Sequence, residues 1–392
     1  MALASKSLTC LLLAGLLSAA CNRGSASVRV QRHLRATGTS FATADRHPFQ
    51  WRGITAFRLL EYVARNKEDD VERFLSWAEA QHITVVRVLA MGGGFMNLSA
   101  EDGRKALPRL LDLAAAHQLH VEIVALAGTR DTPLDLDAQL EEIGRIAAEH
   151  DNALIEVANE PAHPSQLPDV HRPEVLVRLR SRAPRTIPVA LGLVEGLERS
   201  SAGDYITWHP PRDPGRDGWG HVLALAEGPD LVKRWNKPVI SDEPIGAGPV
   251  FEHGRRDDSP ARFRAAAVLT RLAGLGATFH YEGGLQAAIP TGRELECFNA
   301  WNEARTLLPS DIERSGVFRR ARDEGAAVVD YSSDKALAVF ERQRGNLAWI
   351  AVINPSQGFA MRWGTGWNPQ QTRRLDGVWL ISARRDARQS FR

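Results

Sequence analysis

Residues 154–161 read LIEVANEP. A mostly apolar, partly β-branched run leads into Asn159 and Glu160, and Pro161 follows. Such a run reads as a buried strand that stops at its polar end. Burying a carboxamide or a carboxylate without partners is costly. Either Glu160 is paired inside the core, or it stands at a strand end because a reaction needs it there.

The neighbouring sequence repeats the theme. Apolar runs at Phe49–Phe57, Ile83–Met91, Leu119–Gly128, Ile187–Gly196, Asp204–Arg212, Lys237–Pro244 and Gly276–Gly284 bring the strand candidates to eight. Helical spacing of apolar residues fills most gaps, at Asp69–Gln81, Glu101–His117, Leu136–His150, Val222–Trp235 and Pro260–Leu275. Ser259 is placed to cap the last of these, with Pro260 in its first turn. Leu197–Ala202 is barely a turn. Continuous apolar strands alternating with helices imply a parallel sheet covered on both faces. Eight such units imply a (β/α)8 TIM barrel, which takes about 250 residues. The open doubly wound alternative lacks its phosphate fingerprint: MGGGF at Met91 has the wrong spacing and reads as a loop. After about Leu308 the helical period disappears and short strand-like runs follow. They predict a small C-terminal antiparallel β domain, sandwich-like in its strand lengths.

The chain has 392 residues and a formal net charge of +2. Nothing in that balance suggests nucleic acid as a partner. Residues 1–20 read as a signal peptide, with Lys6 before the apolar stretch Leu8–Leu17, too short to span a bilayer. LLSAAC, ending at Cys21, resembles a bacterial lipoprotein signal, although Ser18 stands where leucine is usual. That resemblance implies lipidation of Cys21 and an exported, periplasmic or cell-surface protein whose only membrane contact is the lipid. Simple cleavage near SAA is the alternative. Residues 21–45 are polar and aperiodic and read as a flexible tether. The domain reading is therefore a catalytic barrel over 46–308 and a β domain over 309–392. The three cysteines, Cys10, Cys21 and Cys297, offer no disulfide framework. No cysteine or histidine cluster has zinc spacing, so neither a metal nor another cofactor is expected. His117 and His120 straddle a helix end and a strand start.

In a barrel of this kind the reactive groups come from the C-terminal ends of the strands. Those ends carry Arg87, Asn159 and Glu160, Glu195, Trp208 and His209, Asp242 and Glu243, and His280, Tyr281 and Glu282. Glu156 points into the barrel in a structural role. Asp242, beside Glu243, is expected to face the opposite way because strand side chains alternate.

Here the chain resembles the clan A glycoside hydrolases, most closely family five. EVANEP resembles that family's strand-four signature, and VISDEP its strand-seven motif. Arg87 in VVRV and His209 in TWHP match its strand-two arginine and strand-six histidine. The resemblance covers Pro48 to Leu308. It departs from the pattern at strand three, where IVALAG has no histidine, and at strand eight, where His280 and Tyr281 replace a tryptophan.

The resemblance implies a retaining glycoside hydrolase acting on a β-linked glycan. Glu160 would be the acid/base and Glu243 the nucleophile, with carboxylates about 5–5.5 Å apart. Glu160 would need a raised pKa, from Glu243 and from partial desolvation. Arg87 would keep Glu243 ionised, Tyr281 would hydrogen-bond it, Asn159 would bind the sugar 2-hydroxyl and His209 would orient Glu160. Trp208 and Trp219 are candidate sugar platforms, since flat aromatics stack on sugar C–H faces. A non-hydrolytic surface glycan-binding protein on the same barrel is the rival reading.

Overall fold

The structure is a computed structural model that describes residues 33–130, 132–192, 202–249, 256–312, 316–321, 325–328, 338–355 and 361–386. The signal peptide, Cys21, Glu195 and residues 197–201 of the expected turn lie outside these residues.

Eight parallel strands form the barrel: β1 Arg52–Thr55, β2 Val85–Leu89, β3 His120–Leu126, β4 Ala153–Ala158, β5 Val189–Ala190, β6 Ile206–Trp208, β7 Val239–Ser241 and β8 Gly276–Phe279. Their hydrogen-bonded order runs β5-β4-β3-β2-β1-β8-β7-β6. Between β5 and β6 the seam is drawn in by Asp204, whose backbone N–H donates to the Val189 carbonyl and whose carboxylate accepts from the Val189 N–H. β2, β3 and β4 are buried along their whole length. Such strands read as near-continuous apolar runs, interrupted by Arg87, His120, Glu122 and Glu156, because helices cover one face and the barrel interior fills the other.

Four of the five helices read from periodicity lie where it places them, whereas the helices Leu59–Ala64, Pro173–Arg180 and Gly292–Leu307 were not read. The stretch read as one helix over Val222–Trp235 is broken into Gly220–Ala224, a 3₁₀ turn and Gly228–Trp235. Gly228 marks the break: a Cβ there would lie 2.4 Å from Leu275 and 3.1 Å from Trp208. Pro229 follows in the new first turn, where a missing N–H costs nothing.

The expected tether over 21–45 ends earlier than the sequence suggested. Arg35–Thr37 and Ser40–Ala42 form a hairpin that pairs with Pro48–Phe49. The hairpin caps the bottom of the barrel, where Leu34 and Phe41 are buried against Trp51, Val85, Leu154 and Tyr205. Strands of three residues are too short to show a two-residue period.

The C-terminal sheet has five antiparallel strands: β9 Val317–Arg320, β10 Ala338–Arg344, β11 Leu347–Ile353, β12 Trp367–Leu375 and β13 Val378–Arg385, in the order β9-β10-β11-β13-β12. Alternate residues face opposite ways. Phe340, Trp349, Ala351, Ile353, Val378 and Leu380 join the core shared with the barrel. Val339, Ile350, Val352, Ile381 and Ala383 form a second core, with Ala327 and Trp363 of a short two-stranded ribbon packed on it. The inner face lies on the helix Pro260–Ala273. There Arg342 donates to the Leu272 carbonyl at 2.6 Å, and Gly377 approaches Ala261 so closely that a Cβ would be 2.5 Å from its oxygen.

Candidate active site

The C-terminal mouth of the barrel opens into a cleft of about 770 Å³, within the range of small-ligand sites. Phe57, Phe95, Asn159, Glu160, His209, Arg212, Glu243, Arg256 and His280 are among its walls. The glycine loop after β2 forms part of the rim. A Cβ on Gly93 would lie 2.4 Å from the Gly128 carbonyl oxygen, so the two loops can touch only as glycines.

Glu160 sits one residue past Asn159, at the exit of β4. Its φ of 41° lies in the left-handed region, uncommon for a residue with a side chain. The turn is pinned from both sides. His163 N–H donates to the Glu160 carbonyl at 2.8 Å, and the Gln166 amide donates to the Asn159 carbonyl at 2.6 Å. Glu160 Oε1 lies 3.5 Å from His209 Nδ1 and 3.6 Å from Arg212 Nη2.

Glu243 faces it. Its Oε2 accepts from Arg87 Nη1 at 3.1 Å and its Oε1 from Arg212 Nη2 at 3.0 Å. His280 Nε2 stands 3.8 Å away. An oxygen of Glu160, an oxygen of Glu243 and a ring nitrogen of His209 all lie within 4.8 Å of one another. The carboxylates thus converge across one cleft.

Burial opposes a charge on Glu243, yet His209, Arg87 and Arg212 hold its carboxyl well below the usual range. His280 is buried, which pushes its own pKa down to about 3. It is therefore neutral at ordinary pH, and the permanent charges are the two arginines. His209 is raised, because Glu243 and Glu160 outweigh the cost of its burial. Glu160 differs from expectation: its pKa is lowered, not raised. The His209 contact is the main cause, and Arg212 adds to it, against the pull of burial and Glu243.

Beneath this pair lies a buried ionic layer. Arg87 has no exposure. Its guanidinium reaches Glu156 and Asp242 at 2.7 Å, Glu243 at 3.1 Å and Glu122 at 3.6 Å, and donates to Asn159 Oδ1 at 2.9 Å. Tyr205 and Thr207 donate to Glu122 and Glu156 at 2.8 Å each. Burial pushes Glu122 well above the carboxylate range and Asp242 up to about 6. A proton held on Glu122 reduces the excess negative charge around one arginine.

Most of the candidate residues converge as expected: Glu160, Glu243, Arg87, Asn159 and His209 meet at one place. Three do not. The Tyr281 hydroxyl donates to the Ala288 carbonyl at 2.5 Å and the ring is buried beside Phe279, so His280 rather than Tyr281 faces Glu243. Trp208 and Trp219 are packed in the core and leave no face for a sugar; the exposed cleft aromatic is Phe95, 46% accessible. Asp242 does not turn away from Glu243, since β7 ends at Ser241 and strict alternation ends with it. Both side chains reach Arg87. Arg212 was overlooked, although it stands four residues after Trp208 in TWHPPR.

Among the described residues, two groups of three could approach a metal ion, Glu156–His209–Asp242 and Glu160–His209–Glu243. Arg87 and Arg212 already engage their carboxylates, so a divalent cation would have to displace a guanidinium.

No family model matches the sequence, and no curated protein matches it. Solved structures do. A glycoside hydrolase aligns with a TM-score of 0.59 at 12% identity, covering 92% of this chain and 98% of that one. A family 5 glycoside hydrolase from Bacteroides vulgatus aligns at 0.55 and 10% identity, over 92% and 94%. A family 5 mannosidase from Rhizomucor miehei aligns at 0.53 and 13% identity, over 70% and 97%. At such identities the likeness is one of fold. The chain has the TIM-barrel fold of family 5 glycoside hydrolases, with a small β domain after it.

Proposed function

We propose that the protein is a retaining glycoside hydrolase that cleaves O-glycosidic bonds of a β-linked glycan by double displacement. The observation that carries this reading is the approach of Glu160 and Glu243 to within 4.8 Å across the cleft. Retaining enzymes hold their carboxyl groups about 5–5.5 Å apart, whereas inverting ones need about 6.5–9.5 Å to admit a water.

Glu243, kept ionised by Arg87 and Arg212, attacks the anomeric carbon. The bond to the leaving oxygen breaks as Glu160 delivers a proton to it. Water then enters, Glu160 takes its proton, and the oxygen displaces Glu243 with the configuration restored. The lowered pKa of Glu160 is reconciled through His209. A proton on His209 leaves Glu160 as the base, and its transfer across 3.5 Å makes Glu160 the acid. With Oδ1 of Asn159 held by Arg87, the Nδ2 end is what that residue offers a sugar hydroxyl.

The proposal includes export and lipidation of Cys21, which rest on Lys6, the apolar stretch and LLSAAC alone. It also gives the β domain a bracing role, in keeping with its core being continuous with that of the barrel.

Glu160→Ala tests the chemistry. Aryl glycosides with good leaving groups need no acid, so they should still glycosylate Glu243 and give a burst, after which turnover stalls. Azide needs no base and should restore turnover, yielding a glycosyl azide of retained configuration. An inverted azide product would exchange the two roles. Full turnover by the variant would remove Glu160 from the mechanism. Glycan binding without wild-type turnover would leave the binding-protein reading.

A further inference from the structure

Pro210 and Pro211 fix the backbone between His209 and Arg212, and the arginine reaches back across the cleft. Nε and Nη2 donate to the Glu243 backbone oxygen at 3.2 and 3.1 Å. Nη2 also donates to Glu243 Oε1 at 3.0 Å and stands 3.6 Å from Glu160 Oε1. One cation therefore touches both carboxylates, whereas Arg87 pairs with Glu243 from below.

The two halves of a double displacement make opposite demands on these groups. In the first, Glu160 must carry a proton for the leaving oxygen, and Glu243 must give up its charge to a new O–C bond. In the second, Glu160 must be ionised to take a proton from water, and Glu243 must leave as a carboxylate. A fixed cation between them stabilises charge on both, which assists the second half and opposes the first. Resting on the hydrolase reading above, we propose that Arg212 is a positioning residue that favours deglycosylation over glycosylation.

The pH consequence has a definite sign. Glu160 faces His209, Arg212 and Glu243. Glu243 faces Arg87, Arg212, His209 and His280, with Asp242 behind Arg87 and with Asp213 and Arg256 on the cleft wall. Removing the Arg212 charge leaves the acids unopposed on that side and raises the pKa of Glu160. The alkaline limb of kcat/KM, where the acid proton is lost, then moves to higher pH.

The test compares Arg212→Gln and Arg212→Lys with wild type, on activated aryl glycosides for the division between kcat and KM and on an unactivated alkyl glycoside, whose cleavage needs the acid, for the alkaline limb. In Arg212→Gln, kcat should fall roughly ten- to a hundredfold, and KM with it as the intermediate accumulates, while kcat/KM changes by less than about threefold. Its alkaline limb should rise, and lysine should restore the limb. Parallel losses in kcat and kcat/KM, with an unmoved limb and no rescue by lysine, would mean that Arg212 only anchors its loop to the Glu243 carbonyl, and the proposal would fall. Titration of ¹³C-labelled glutamate carboxyls by NMR needs no substrate. Glu160 should titrate at higher pH in Arg212→Gln, and an unchanged titration overturns the proposal. A shifted titration in a protein that turns over no glycoside overturns the hydrolase reading instead, and the kinetic proposal goes with it.

Discussion

A guanidinium with no exposure has to be surrounded by carboxylates, and Arg87 meets four: Glu122, Glu156, Asp242 and Glu243. Removing one partner from such a set is costly because the remaining charges stay buried and unpaired. Arg87→Met should therefore lower unfolding free energy by roughly 3–5 kcal/mol, read as a shift in urea midpoint at constant slope. A loss below about 1 kcal/mol would mean that protons on the acids already neutralise the layer. At this scale the sequence was informative where a motif was present. Asn159 and Glu160 stood out because they close an apolar strand. Glu122 did not, since a lone acid inside LHVEIVALAG shows neither its orientation nor its partner, Tyr205. Arg212 escaped because its role depends on the path of the loop after β6, and two prolines set that path only in three dimensions.

The elements were the most legible level. Seven of the eight barrel strands fall inside the apolar runs read for them and β4 begins one residue earlier, at Ala153, because a strand buried on both faces is apolar at most positions, with Arg87, Glu122 and Glu156 as paired exceptions. The site depends on where those strands stop. Asp242 faces Arg87 because β7 ends one residue before it, and element ends are set by turn geometry rather than by periodicity. The loops are exacting in the same way. At Gly93 a Cβ would collide with the Gly128 backbone, which cannot swing aside as a side chain can. Gly93→Ala should cost roughly 1–3 kcal/mol, visible in thermal or urea unfolding, and should raise KM by opening the rim. A variant as stable as wild type would mean that the glycine loop is free to move away from the loop after β3.

For the whole molecule, the barrel is one body extended at two places. The hairpin at 35–42 closes its bottom with Phe41, Trp51 and Tyr205 in mutual ring contact. The C-terminal sheet lies on the helix Pro260–Ala273 and shares the barrel core. The sequence showed the sheet through its change of period, and concealed the hairpin because short polar strands leave no pattern. Among the described residues, neither extension lines the cleft, whose chemistry rests on two glutamates brought to one mouth from β4 and β7. The most direct test is to trap what Glu243 forms. The protein is incubated with 2-deoxy-2-fluoro glycosides of gluco, manno and galacto configuration that carry activated leaving groups, then digested and mapped by mass spectrometry. The expected result is a single glycosylated peptide with the sugar on Glu243, absent from Glu243→Ala. A sugar on any other residue, or product of inverted configuration with no labelled enzyme, would contradict the two-carboxylate retaining site.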